Sequence, residues 1–177
     1  MKSKNFMYMT IFVLAALILL NLYQYKRISD LEIQAGSDFQ RKVRDSIFLL
    51  ENDAVPATWI KILNEEDGEF TFAVHLGELS NQGRQYHMMN GKISTLGTMW
   101  DQLADHYTDL AKSIKNGREY TQIEDQINKD REFLVRLLND IDSISGENEK
   151  LYYREFSDSE SKTSNMVWRE YKKYEKR

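Results

Sequence analysis

The chain has 177 residues, a mean hydropathy of -0.61, 29% charged residues and a formal net charge of -4. That length holds one domain, or a small domain with an appendage, and the polarity excludes a multi-span membrane protein. An acidic balance gives no support for a general nucleic-acid binder, which would be basic, so no nucleic-acid partner is expected, and the absence of cysteine excludes disulfides, thiolate zinc sites and cysteine nucleophiles.

No charge occurs between Lys4 and Lys26. A helix over that interval covers roughly the hydrocarbon thickness of a bilayer, at about 1.5 Å per residue. Phe6 to Leu20 is apolar except for Thr10, with Phe6 and Tyr8 at one end and Tyr23 and Tyr25 at the other, where amphipathic rings settle among headgroups. A cleaved signal peptide needs small residues after the apolar run. The chain instead reads Asn21-Leu22-Tyr23-Gln24-Tyr25-Lys26-Arg27, so an uncleaved signal-anchor is expected. The expected layout is a cytoplasmic head (1–5) and a single-pass span in the cell membrane (6–25). Lys2 and Lys4 stand against Lys26 and Arg27, a slight bias that, with so short a head, puts the body outside the cytosol.

Ile28, Leu31, Ala35, Phe39, Val43, Ile47 and Leu50 recur in steps of three and four, which predicts an amphipathic stalk helix over 26–54 with a soft point at Gly36-Ser37. Pro56 restarts the chain. Residues 28–149 carry 12 Lys+Arg against 23 Asp+Glu, so the body is acidic between a basic anchor and a basic tail.

Residues 55–146 contain a repeat. Gly77-Glu-Leu-Ser80-Asn-Gln-Gly83 returns fourteen residues later as Gly91-Lys-Ile-Ser94-Thr-Leu-Gly97, with a weaker third copy from Asp105 to Ala111. Fourteen residues are two heptads, so each copy returns to the same face of a helix. The expectation is one long helix near 69–116, with Gly83, Gly97 and Ala111 forming a seam beside Tyr86, Trp100 and Tyr107. That seam is the candidate interface for a partner helix or a second copy. A rival reading starts from the strict alternation of Phe70, Phe72, Val74 and Leu76 after Asp67-Gly68, and from Asn90-Gly91 as a hairpin turn; it predicts an α+β fold with a small sheet over 58–95.

Gly117 stops the repeat helix, and Thr121-Gln-Ile-Glu124 reads as a capping box. Ile123, Ile127, Leu134, Leu137, Ile141 and Ile144 form the face of an antiparallel partner near 121–145 that ends at Gly146. Asp130 interrupts this ladder and predicts a wet layer. Residues 147–177 read as a polar linker, loose from Ser157 to Ser164, followed by a short helix marked by Val167, Tyr171 and Tyr174. The tail interleaves Trp168, Tyr171 and Tyr174 with Arg169, Lys172, Lys173, Lys176 and Arg177, a composition suited to an anionic surface.

His75, His87 and His106 show no metal-ligand spacing on a helix. The chain has no nucleophile elbow, phosphate-binding loop, dinucleotide fingerprint or calcium loop, so no catalytic, cofactor or metal residues are assigned. Asp101, Asp105 and Asp109 line one helix face, most simply as a solvated stripe. The fold expected is all-α: a transmembrane helix continuing into an elongated, coiled-coil-like body. The function expected is that of a non-enzymatic interaction protein, a scaffold or sensing ectodomain of a bacterial-type envelope assembly. The alternative is an envelope enzyme whose carboxylates meet His75 or His106 only in three dimensions.

Overall fold

In the computed structural model, the apolar N-terminal stretch and the predicted stalk form one helix, α1 (Lys2–Phe48). The structure describes residues 2–89 and 91–176, with side chains from Tyr8 onward. A π-helical turn (Leu49–Asp53) ends α1, its bond running from Ala54 N–H to the Leu49 carbonyl at 2.8 Å. Among the described residues six further α-helices follow: α2 (Pro56–Leu63), α3 (Gly68–His87), α4 (Thr95–Lys115), α5 (Thr121–Ser145), α6 (Glu149–Ser157) and α7 (Lys162–Tyr174). The all-α expectation therefore holds. No strand occurs among the described residues, which corrects the alternative of a sheet over 58–95.

Two features explain why the alternating run is helix. Asp67 takes a left-handed φ of 63° and turns the chain from α2 into α3. On a helix, Phe72 then points into the core while Phe70 and Val74 stay exposed, so the alternation reads as a broad apolar arc.

The single long helix over 69–116 is also corrected. The chain reverses after His87, Gly91 takes φ +60°, and a 3-10 turn (Gly91–Ser94) leads into α4. The predicted turn signal sits at this reversal but joins two helices, and Asn90 itself lies outside the described residues. α3 and α4 form an antiparallel hairpin, pinned by His87–Asp101 at 2.7 Å near the turn and by Lys115–Glu69 at 2.8 Å at the open end. An elongated body is corrected with it. The helices fold back on one another around a shared core that includes Val43, Leu50, Trp59, Leu79, Trp100, Leu138, Tyr152 and Val167.

The ladder from Ile123 to Ile144 forms α5, whose start has no side-chain cap, so the capping box is corrected to a plain backbone start at Tyr120. The segment read as a loose linker is ordered by short-range polar bonds. Asn148 caps α6 by accepting from Leu151 N–H at 3.0 Å, and Ser161 caps α7 by accepting from Ser164 N–H at 3.0 Å. The buried Glu155 carboxylate accepts from Thr163 N–H at 2.8 Å, and the Ser161 hydroxyl donates to the Glu155 carbonyl. Such bonds satisfy helix-end groups that packing would otherwise strand without water.

α6 packs across α1 at Gly36, where a built Cβ would stand 1.8 Å from the Glu149 carbonyl oxygen. The soft point in the stalk is therefore a tight crossing that only glycine fits. Phe39 stacks on Phe156 beside it at 5.1 Å. Arg44 joins α1 to the end of α5, donating to Asp142 at 3.2 Å and to Glu147 at 2.7 Å. These two carboxylates hold the guanidinium charged, and Arg44 in return holds the Glu147 carboxyl below its ordinary range.

Candidate functional site

α1 contains a segment long and apolar enough to cross a membrane, with a mean hydropathy of 1.6 and none of that window buried by the rest of the chain. Phe12, Leu19 and Tyr25 are among its most exposed side chains, at 74%, 67% and 74%. Farther along, Ile28 and Leu31 are still exposed, whereas Val43 and Leu50 are fully buried. One uninterrupted helix thus passes from an uncovered apolar surface into the core of the bundle.

The residues of the predicted seam lie elsewhere, inside the α3–α4 hairpin. Gly83 and Gly97 face each other across the two helices. A Cβ on Gly97 would meet the Gly83 carbonyl oxygen at 2.8 Å and the His87 ring at 2.6 Å, and one on Gly83 would meet Asp101 Oδ1 at 2.6 Å. The close approach is made between two parts of one chain. Tyr86, Trp100 and Tyr107 are fully buried and Ala111 is partly buried against the core.

Tyr107 packs on Trp59 with ring centres 4.0 Å apart and planes tilted by 38°, and donates to the Ala54 carbonyl, and Tyr86 shares a 3.0 Å bond with Ser46 of α1. Burial pushes both phenols well above the usual tyrosine range; the neighbouring Asp45 charge adds to the shift of Tyr86.

The histidines separate. His75 packs against Trp59 at 5.5 Å and reaches Glu78 at 3.3 Å; His87 pairs with Asp101 at the turn. His106 lies on α4 with Nδ1 2.8 Å from Oδ2 of Asp130, a residue only 1% exposed. Both atoms are buried and neither has a well-aligned hydrogen bond, so the two groups meet as a close polar contact. Gln126 donates to the other Asp130 oxygen at 2.9 Å. Where the sequence suggested a wet layer, the structure places a buried carboxylate between an imidazole and an amide. No group of three His, Asp or Glu residues able to hold a metal occurs among the described residues. Asp101, Asp105 and Asp109 line the exposed side of α4, with Asp109 paired to Lys112 at 3.1 Å.

Away from α1, Leu63, Phe72, Ala111 and Ile114 floor a cleft of about 300 Å³ at the open end of the α3–α4 hairpin. Sequence reasoning missed it because it exists only once α2 lies beside α3. Phe70 and Val74, one turn apart on α3, are 76% and 50% exposed, and no heavy atom lies within 4 Å of a Cβ built on Gly77. On α7, Trp168 stacks on Tyr171 at 5.7 Å with Lys172 Nζ over its ring at 4.8 Å. Compared with family models, curated proteins and solved structures, the chain gives no match.

Proposed function

We propose that this chain is a membrane-anchored, non-enzymatic interaction protein, held in the bilayer by residues 6–25 and presenting a helical bundle outside the cytosol. One observation carries the reading: α1 joins an uncovered apolar segment to the bundle core without a break. An exposed apolar surface of this length has no stable place in water, since about 25 cal/mol is lost per Å² of apolar surface left exposed. Because α1 enters the core as a helix, the bundle is held at a fixed height above the bilayer rather than tethered by a flexible linker.

The bundle's part is to bind a protein partner, as a scaffold or sensing module of an envelope assembly. The exposed Phe70, Val74 and Gly77 face of α3 supports this, since a partner helix could lie along it. The test has two arms. Membranes washed at alkaline pH should retain the full chain, and a reporter fused after Arg177 should be active only outside the cytosol. A Phe70→Glu/Val74→Glu variant should stay folded and anchored yet lose the proteins that co-purify with the wild type from detergent-solubilised membranes. Release by the wash would sink the anchor; unchanged co-purification would remove this face as the docking surface.

A further inference from the structure

We propose that the end of α1 leaving the bilayer and the exposed side of α6 form a cationic collar that binds anionic lipid headgroups; this rests on the anchor reading above. Lys26 and Arg27 are the first charges after the apolar stretch. Ser29 lies one turn beyond Tyr25, so about 6 Å of helix separates it from the end of that stretch. The polar layer of a bilayer is about that deep on each side.

Lys150 of α6 donates to the Ser29 hydroxyl at 2.5 Å, which brings its ammonium to this depth, while the α6 backbone crosses α1 at Gly36, about 16 Å of helix beyond Tyr25. Arg154, one turn on and exposed, has no ion-pair partner among the described residues, and neither have Lys26, Arg27 and Lys150. Three cations, Lys26, Arg27 and Lys150, therefore stand at headgroup depth beside one carboxylate, Asp30, with Arg154 reaching toward them from α6, on a body whose overall charge is acidic.

Between α1 and α6 runs a groove of about 390 Å³ lined by Glu32, Lys150, Tyr153, Arg154, Ser157 and Asp158. Lys150 and Arg154, one turn apart on its lining, offer two cations to a phosphate there, with the Tyr153 ring beside them. Two carboxylates share the groove. Asp158 turns to its own loop, accepting from Glu160 N–H at 2.8 Å. Glu32 has no such partner and opposes an anion, so it is the residue whose neutralisation should strengthen binding.

The bilayer is the occupant the position favours, because the groove opens beside the helix segment that leaves it. The experiment uses the full chain in nanodiscs of phosphatidylcholine, or with roughly one lipid in three replaced by phosphatidylglycerol, and reads amide exchange over residues 149–157. Two surface cations at about 1 kcal/mol each predict exchange about thirtyfold slower in the anionic discs, an effect lost at high salt. Arg154→Gln and Lys150→Gln/Arg154→Gln should weaken the effect stepwise, and Glu32→Gln should enlarge it.

Equal exchange in both discs, with the chain retained through an alkaline wash, overturns the collar and leaves the anchor standing. Slowing by inorganic phosphate in phosphatidylcholine discs overturns the headgroup assignment in favour of a free-phosphate site. A chain that washes off both discs refutes the anchor, and the collar with it.

Discussion

Replacing Gly36 by alanine separates two effects that usually travel together. In a helix exposed to solvent the substitution stabilises by up to about 1 kcal/mol, because glycine has more backbone freedom to lose. At Gly36 the new methyl would stand 1.8 Å from the Glu149 carbonyl oxygen, 2.6 Å from its carbon and 3.1 Å from Tyr153 N. Reaching ordinary contact needs a displacement of roughly 1.6 Å, more than enough to forfeit half the dispersion energy of the neighbouring atoms. The obstacle is backbone, so no rotamer change relieves it. Lifting α6 would also open the Phe39–Phe156 stack and the bond from Tyr152 to Asp142. Overpacking of this kind typically costs about 1–3 kcal/mol, so the net sign is destabilising. Urea unfolding of the full chain in detergent, followed by tryptophan fluorescence, measures it. Gly77→Ala is the matched control, in a helix but with nothing within 4 Å, and it should stabilise. If Gly36→Ala stabilises as Gly77→Ala does, α6 does not cross α1 where the structure puts it.

Three further outcomes are expected. Gly97→Leu should destabilise the bundle itself, since a side chain there drives into the Gly83 carbonyl and the His87 ring; a variant of unchanged midpoint that lost only a partner would return the seam to an intermolecular role. His106→Ala should cost about 1–3 kcal/mol by leaving the buried Asp130 carboxylate with Gln126 alone, and His106→Leu/Asp130→Leu should recover most of it; a double-mutant cycle with no coupling would show that the pair is not formed. Stability should fall at alkaline pH: Tyr86 and Tyr107 are raised by burial, so the unfolded chain gives up their protons from about pH 10 while the folded chain keeps them. Their contribution is whole below that pH and is lost as pH climbs toward their folded values. Tyrosinate absorbance should therefore show these two phenols titrating only with unfolding, and early titration of all ten tyrosines would contradict their burial.

What the sequence disclosed was face rather than partner. The steps of three and four from Ile28 to Leu50 mark an apolar stripe of α1, but Ile28 and Leu31 remain exposed while Val43 and Leu50 are buried. Periodicity is the same for both, because it records which side is apolar and says nothing of what arrives to cover it. The period of fourteen misled for a related reason. Gly83 and Gly97 do share a phase, but that phase is kept as well by two arms folded face to face as by one continuous helix. A single glycine with φ +60° at Gly91 decides between them. α6 left a weak trace, since nine residues give little periodicity; its cap at Asn148 was the signal available. Asp130 was legible as an anomaly, yet its imidazole neighbour comes from another helix, at a separation no spacing rule reaches.

In the proposed anchor α1 is one element serving two solvents. From Tyr8 to Leu20 its side chains are apolar except for Thr10, so no face is specified, and none of that window is buried among the described residues. From Gly36 onward the same backbone is specified face by face: a glycine where α6 crosses, Phe39 on Phe156, Arg44 between two carboxylates, Ser46 against Tyr86. Lipid tails tolerate rotation of a uniformly apolar helix, whereas this second set of contacts allows one azimuth only. The bundle therefore fixes the rotation of α1 about its own axis, and in the proposed anchor the apolar segment fixes its depth. In the proposed anchor, rotation and depth together decide which side chains of Lys26 to Ile33 meet the headgroups, and the same constraint sets the Lys150 ammonium at the level of Ser29, one turn beyond Tyr25.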